Sequence, residues 1–309
     1  MKVANLAGRA AIVTAAGAVD VERASGGRFG PDVQTLYDRW PDLRTWAAEG
    51  AAAPATAAEP FDAADLRSPA PGPRQVFGIG INYREHAAET GKDVPTVPAT
   101  FTKWPSSLAG PFDPVRAVND TVDWEVELVL VVGARAVDVA EADGWDHVAG
   151  VTVGQDISDR TLQAAAGAQF SLGKSHRGFG PMGPWLVTPD ELSDRDDLAL
   201  GCSVDGEVVQ DGRTRDLVVT VPQLIARLSA VVTGCNDGGG EWELDGDELS
   251  IGALLHTMMA CDDPPGVMEQ ETAIYAALES AARVEVTPGS LTVLDGEGRI
   301  ALEAVEAPS

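Results

Sequence analysis

The chain has 309 residues, with 48 acidic and 22 basic side chains and a formal net charge of −26. Such a negative average surface repels nucleic acids and anionic membranes, so neither is expected as a partner. No apolar run approaches about 20 residues and the start lacks a secretory core, so a cytoplasmic protein is expected. The three cysteines match neither a disulfide nor a zinc pattern and are expected to be ordinary thiols.

The first 70 residues are predicted to form a small amino-terminal accessory domain. Residues 10–15 form a short apolar run, residues 32–48 a helix, and residues 51–58 an alanine-rich linker. The segment 68–73 contains three prolines, which cannot continue a helix because proline lacks the amide donor. We therefore place a boundary near residue 70 and a larger domain over residues 71–309.

The larger domain is predicted to be mostly β, which gives an α+β fold class. Apolar and β-branched runs separated by turns of Gly, Pro and Asp indicate strands at 76–81, 122–132, 148–153, 184–187, 198–204 and 283–286. Helices are expected at 83–90, 158–166 and 221–232, the last with apolar residues at helical spacing.

Two glutamates alternate along the predicted strand 122–132 and point to the same face. Glu125 and Glu127 repel each other in a largely apolar region, and a cation would compensate them. Asp156, which follows the next predicted strand, offers a third carboxylate. Oxygen-only ligands suit Mg²⁺ or Mn²⁺. Taken alone, the Glu-x-Glu pattern is also typical of a solvated strand face.

A histidine and a glutamate follow a Gly-rich turn that begins the second domain. His86 and Glu89 are three residues apart on a predicted helix, so the carboxylate can hold the imidazole and raise its basicity. The alternative is an exposed surface pair.

Taken together, four motifs resemble the fumarylacetoacetate hydrolase family. They are G-x-N-Y-x-x-H-x-x-E at 80–89, D-x-E-x-E-L at 123–128, N-D-x-S-x-R-x-x-Q at 155–163 with Gln155 in place of Asn, and G-K-S-x-x-x-F-x-P-x-G-P-W at 173–185. The resemblance covers roughly residues 70–230. It implies a mixed β-sandwich roll, commonly dimeric, with a small amino-terminal domain.

The resemblance also implies roles for individual residues. Glu125, Glu127 and Asp156 would bind Mg²⁺ or Mn²⁺, and His86, held by Glu89, would activate water. Lys174 and Gln163 would face a developing oxyanion, with a plain surface lysine as the alternative for Lys174. The substrate would be held by Tyr83, Arg160 and Lys103.

The family pattern is interrupted later in the chain. Members continue with P-G-D-x-I-x-T-G-T-P, and the corresponding stretch here is expected at 245–254, where both threonines and the proline are missing. Loss of these hydroxyls predicts an altered substrate.

The resemblance implies a hydrolase that cleaves a carbon–carbon bond in an acylpyruvate or related 1,3-dicarbonyl acid, as in aromatic catabolism. The alternatives are a 2-hydroxy-dienedioate isomerase, an oxaloacetate decarboxylase, or a binding protein that has lost catalysis. A homodimer acting on a small anionic keto acid is expected.

Overall fold

The structure is a computed structural model. It describes residues 1–50, 58–89, 94–95, 97–165, 169–231, 238–239, 242–245, 247–251, 255–256, 267–287 and 290–305. The chain divides into two compact units, Met1–Leu228 and Ser229–Ser309. In the described part of the chain, no helix combines the length and apolar character needed to cross a membrane.

The elements that begin in the first unit are, in chain order, β1 (Lys2–Leu6), β2 (Arg9–Thr14), β3 (Gly17–Asp20), α1 (Val21–Ala24), α2 (Val33–Leu36), α3 (Trp40–Ala48), β4 (Leu66–Arg67), β5 (Phe77–Gly80), α4 (Arg84–Glu89), β6 (Ala99–Thr102), β7 (Leu108–Ala109), β8 (Val122–Asp123), β9 (Val126–Val132), β10 (Val148–Gln155), β11 (Ser158–Asp159), α5 (Arg160–Ala165), α6 (Ser171–Lys174), β12 (Gly180–Val187), β13 (Ala199–Val204), β14 (Glu207–Arg213) and α7 (Val221–Val231).

An eight-stranded sheet organises the first unit. Its main path runs β3-β2-β1-β12-β10-β9, with β4 added beside β1 and β7 beside β12. Every pairing is antiparallel except that of β7 with β12. Strands β9 and β10 are rich in valine, whose branched side chain favours the pleated conformation. Short pairs β5–β6, β8–β11 and β13–β14 lie outside this sheet.

The amino-terminal residues share this sheet and its core. Asp32 caps α2 by accepting a hydrogen bond from the Gln34 N–H, and a 3₁₀ turn joins α2 to α3, so the helix expected over 32–48 is present with a break. Trp40 and Leu43 of α3 belong to one buried cluster with Leu186 of β12. Strands on both sides of residue 70 join one sheet. The separate accessory domain over residues 1–70 stays a prediction.

A second buried cluster lies under the 3₁₀ segment that precedes β10. Trp145 packs with Val148 and Val151, and helix α7 contributes Val221 and Ile225. Helix α7 thus places apolar side chains in the core at helical spacing, which agrees with the pattern that predicted a helix there.

The second unit contains β15 (Gly238–Gly239), β16 (Trp242–Asp245), β17 (Glu248–Ile251), β18 (Leu255–His256), α8 (Val267–Ser280), β19 (Ala281–Thr287), β20 (Ser290–Asp295) and β21 (Ile300–Val305). Five of the strands form an antiparallel sheet in the order β16-β17-β19-β20-β21. The chain divides between Leu228 and Ser229, inside the range 71–309 that the sequence pattern predicts as one domain.

Candidate metal centre

The three predicted metal ligands come from the adjacent ends of two paired strands. Glu125 lies in the break between β8 and β9, Glu127 lies on β9, and Asp156 follows β10 directly. Glu127 stands opposite Gly154 in the antiparallel register. The Asp156 N–H donates a hydrogen bond to the Glu125 carbonyl at 2.8 Å. The backbone pairing therefore brings Asp156 close to Glu125 and Glu127, which lie 31 and 29 positions before it in the chain.

Carboxylate oxygens of Glu125, Glu127 and Asp156 all lie within 4.8 Å of one another. Asp156 is buried and the two glutamates are half-buried. Three hard oxygen donors at this separation fit a divalent ion such as Mg²⁺ or Mn²⁺, which prefers carboxylate ligands and retains open positions for water or substrate.

The electrostatics of the cluster also fit a cation. Burial, followed by the negative charges of Asp156 and Glu125, raises the pKa of Glu127 to about 8. Burial acts in the same direction on Glu125, but Lys174 and Arg160 outweigh it and hold the pKa of Glu125 below its ordinary value. Among the described residues, the recorded ion pairs connect lysine or arginine to Glu125 and Asp156 but not to Glu127. A dication would relieve this crowding of like charges.

Lys174 lies inside the carboxylate cluster, with a side chain only 3% exposed. Its Nζ donates to Glu125 Oε2 at 2.6 Å, to Asp156 Oδ2 at 2.6 Å and to Ser158 Oγ at 3.0 Å. These contacts use all three ammonium protons. The structure thus rejects a plain surface lysine, while contact of Lys174 with a substrate oxyanion stays a prediction.

Lys103 approaches the same cluster from the other side of Asp156. Its buried Nζ donates to Asp156 Oδ1 at 2.5 Å, to the Phe179 carbonyl at 3.1 Å and to the Lys174 carbonyl. Burial lowers the pKa of Lys103, against the opposing effect of Asp156. Because its three protons all reach protein acceptors, Lys103 anchors Asp156 and the backbone of Lys174 in this structure. Its predicted contact with substrate would require these bonds to be exchanged.

Arg160 and Gln163, both on α5, border the cluster. The Arg160 guanidinium donates from Nη2 to Glu125 Oε1 at 2.7 Å and from Nη1 to Gln163 Oε1 at 3.0 Å. Asp123 accepts two further N–H groups of the same guanidinium. Burial lowers the pKa of Arg160, but the charge of Glu125 and the hydrogen bonds that Arg160 donates to Asp123 outweigh it and raise this pKa.

Tyr83 is held by the turn that precedes α4. Asn82 donates from Nδ2 to the Val219 carbonyl at 3.1 Å and accepts from the Val219 N–H at 2.8 Å. The Tyr83 hydroxyl is buried and, within the described residues, has no hydrogen-bond partner. Burial, followed by the charges of Glu127 and Asp216, raises its pKa to about 12. A neutral phenol close to Glu127 is available as a donor to a bound ligand.

His86 and Glu89 lie on α4, as the motif predicts. The His86 side chain lies outside the described part of the structure, so its pairing with Glu89 and its role as a base stay predictions.

Two polar residues of this network were given no role by the sequence analysis. Ser158 is fully buried, accepts from Lys174 and donates to the Asp156 carbonyl at 3.0 Å. Asp123 holds Arg160. Both occupy fixed letters of the motifs D-x-E-x-E and N-D-x-S, and that is the signal that could have identified them.

The family model for the fumarylacetoacetate (FAA) hydrolase C-terminal domain matches residues 75–236, more than half of the chain. The chain belongs to the fumarylacetoacetate hydrolase family. The predicted fold class is confirmed: the protein is mostly β with some helices and matches solved structures of the family.

Among solved structures, a provisionally named HpcE protein from Mycobacterium smegmatis is 50% identical, with a TM-score of 0.68 over 75% of this chain and 82% of that one. Maleylpyruvate hydrolase from Sphingobium sp. SYK-6, in complex with manganese(II) and pyruvate, is 27% identical, with a TM-score of 0.62 over 75% of this chain and 84% of that one.

A provisionally named hydrolase from Burkholderia multivorans is 50% identical over 159 residues, which are 51% of this chain and 56% of that protein. The chain therefore spans about half the length of the curated relatives it matches.

A second family model, the META domain, matches residues 202–307. The stretch 245–254 lies within this match and beyond the end of the first match at residue 236. Residues 245–254 therefore belong to the stretch that resembles the META domain, and their expected equivalence with the hydrolase family's P-G-D-x-I-x-T-G-T-P segment is wrong. Residues 246 and 252–254 of that stretch lie outside the described residues. Because this stretch resembles a different domain, the missing threonines give no ground for the predicted change of substrate.

Proposed function

We propose that this protein is a divalent-metal-dependent hydrolase that cleaves a carbon–carbon bond in an acylpyruvate or related 1,3-dicarbonyl acid. The observation that carries the proposal is the carboxylate cluster of Glu125, Glu127 and Asp156, with ligand oxygens within 4.8 Å. The similar maleylpyruvate hydrolase contains Mn²⁺ and pyruvate, and pyruvate is one product of acylpyruvate cleavage.

The cationic side chains around the cluster support an anionic substrate. The whole chain has a net charge of −26, so attraction must be local. Lys103, Lys174 and Arg160 all contact the candidate metal ligands. Donors available to a substrate among the described residues include the Tyr83 hydroxyl, the Gln163 amide NH₂ group and the second N–H on Arg160 Nη1.

In the proposed reaction, His86 takes a proton from water, and the resulting hydroxide attacks the carbonyl distant from the carboxylate. The carbon–carbon bond then breaks, and its electron pair becomes the enolate of pyruvate. The proton that His86 took from water then passes to the enolate carbon and yields pyruvate, and the other fragment leaves as a carboxylic acid. Gln163 and Arg160 donate hydrogen bonds to the oxygens on which negative charge develops. A divalent ion bound at the three carboxylates supplies the positive charge that stabilises an enolate.

Product analysis tests this proposal. Purified protein is incubated with acetylpyruvate, fumarylpyruvate, oxaloacetate or a 2-hydroxy-dienedioate, each with Mg²⁺, Mn²⁺ or a chelator. We expect pyruvate and the matching acid from the acylpyruvates, and no turnover with the chelator. If the protein consumes oxaloacetate and none of the other substrates, hydrolysis is rejected in favour of decarboxylation. If it rearranges the dienedioate without breaking a carbon–carbon bond, an isomerase is favoured. Mn²⁺ binding without turnover of any substrate favours a binding protein.

The resemblance to the family also supports a homodimer, and light scattering on the purified chain measures its subunit number. The cytoplasmic location stays a prediction from the sequence.

A further inference from the structure

We infer that Asp123 is a positioning residue: its carboxylate holds Arg160, and Arg160 in turn fixes which end of the Gln163 amide is presented to the substrate. The kinetic consequence rests on the function proposed above. The positioning itself is a property of the protein without substrate.

Asp123 is well placed to hold an arginine because strand pairing fixes its backbone and a hydrogen bond from the main chain fixes its carboxylate. It lies on β8, where it stands opposite Ser158 of β11 in the antiparallel register. Its Oδ1 accepts the Trp124 N–H at 2.9 Å. Its Oδ2 accepts Arg160 Nε at 2.9 Å and Arg160 Nη2 at 2.8 Å. One carboxylate oxygen thus serves the backbone and the other serves the guanidinium.

Two N–H groups on one oxygen restrict the plane of the Arg160 guanidinium. The side chains of Arg160 and Asp123 are 35% and 40% exposed, so solvent screens their charges and the pair contributes modestly to folding. Its directional effect remains, because the guanidinium is planar and its donors diverge at fixed angles.

The orientation of Gln163 follows from that plane. Arg160 Nη1 lies 3.0 Å from Gln163 Oε1. Arginine only donates hydrogen bonds, so the amide oxygen must face it and the NH₂ group must face away. The NH₂ group of Gln163 therefore stays available as a hydrogen-bond donor on the side of the amide that does not face Arg160. In the proposed reaction this orientation is required, because the developing oxyanion accepts hydrogen bonds.

Asp123 also limits how closely Arg160 pairs with Glu125. Arg160 Nη2 divides its protons between Asp123 and Glu125, the latter at 2.7 Å. In the described part of the chain, Arg160 forms ion pairs with Asp123 and Glu125. If Asp123 is removed, Glu125 is the carboxylate that remains paired with the guanidinium. The guanidinium then turns toward Glu125 and releases the Gln163 amide.

The first experiment uses metal-free protein and needs no turnover. The side-chain ¹⁵NH₂ signals of Gln163, identified by their loss in Gln163→Met, are compared between wild type, Asp123→Asn, Arg160→Gln and the double variant. We expect Asp123→Asn to shift these signals, and the double variant to match Arg160→Gln alone. Asp197→Asn, which removes a carboxylate paired with Arg213 at 2.6 Å elsewhere in the unit, is the matched control and leaves them unmoved.

Unmoved Gln163 signals in Asp123→Asn, or a shift that adds to that of Arg160→Gln, overturns the inference. Should Asp123→Asn fail to fold, Asp123→Glu keeps the charge and lengthens the side chain, and the same comparison decides.

The second experiment measures steady-state kinetics with Mn²⁺ and acetylpyruvate. We expect kcat to fall about tenfold in Asp123→Asn, the size of loss seen when a residue that orients a direct contact is removed. In the Arg160→Gln background the same substitution has no further effect. An independent loss in both backgrounds contradicts the inference. A wild-type protein without turnover instead rejects the proposed function, and the amide signals still decide the role of Asp123.

Discussion

The backbone N–H of Asp156 donates to the carbonyl of Glu125 at 2.8 Å, so two candidate metal ligands are joined through the main chain before their side chains meet. This bond continues the β9–β10 pairing past the last strand residue. The carboxylates therefore converge because of strand register. They are preorganised by the fold, which suits binding of a small hard ion.

Glu127→Gln should remove metal binding with little loss of stability. Glu127 is the carboxylate whose pKa is raised to about 8 by burial and by its acidic neighbours, so its charge costs free energy in the metal-free fold. We expect Mn²⁺ affinity to fall by roughly 100-fold or more, at least the cost of losing an outer contact of a metal site. Calorimetry gives the affinity, and Glu141→Gln, an exposed acid, is the control. Unchanged Mn²⁺ binding removes Glu127 from the site.

Lys174→Met should destabilise the metal-free protein and make it more dependent on metal. The substitution removes the ammonium that lies 2.6 Å from both Glu125 and Asp156, while Arg160 still pairs with Glu125 and Lys103 with Asp156. Loss of hydrogen bonds to charged groups costs about 1.5–3 kcal/mol of unfolding free energy. Mn²⁺ should then raise Tm more in the variant than in wild type, because the ion replaces the lost positive charge. Thermal unfolding with and without Mn²⁺ measures both effects, with the exposed Arg135→Met as control. Equal Tm shifts in variant and wild type contradict this electrostatic role.

Gly173→Ala should disturb the site through packing alone. A Cβ at Gly173 would lie 2.8 Å from the Gln163 backbone nitrogen and 2.9 Å from the Asp159 carbonyl oxygen, so α6 must shift and carry Lys174 with it. Overpacking of this kind costs about 1–3 kcal/mol, and we expect a lower Tm and a lower kcat together. Gly212→Ala is the matched control, because nothing lies within 4 Å of its added methyl group. A variant with wild-type Tm and kcat shows that α6 tolerates the methyl group.

His86→Ala should suppress hydrolysis while leaving metal binding nearly intact. General-base catalysis typically contributes about 10²–10⁴-fold, so kcat should fall within that range. Mn²⁺ affinity should stay close to wild type, since the ligand cluster consists of carboxylates from other elements. Glu85→Ala, an exposed neighbour on α4, is the control. A normal rate in His86→Ala rejects the water-activation role.

Much of the secondary structure followed from local pattern. Strands were predicted at 148–153 and 283–286 and are observed at Val148–Gln155 and Ala281–Thr287, and α7 begins at the predicted residue. The helix over 32–48 was correct in extent but not in continuity. Helix α8 and the last two strands were not predicted, and the division of the chain at Leu228 carries no proline-rich marker comparable to residues 68–73.

The sequence alone predicted which residue types meet at the candidate metal centre, because the motifs carry the three carboxylates, Lys174 and Arg160 within short, recognisable segments. The tertiary structure decided which partner each of them takes. Lys103 reaches Asp156 across 53 positions, and Arg160 divides its donors between Asp123 and Glu125 across 37 and 35 positions. Such choices depend on strand register and on the fixed number of protons each cation carries, and neither local periodicity nor motif spacing contains that information.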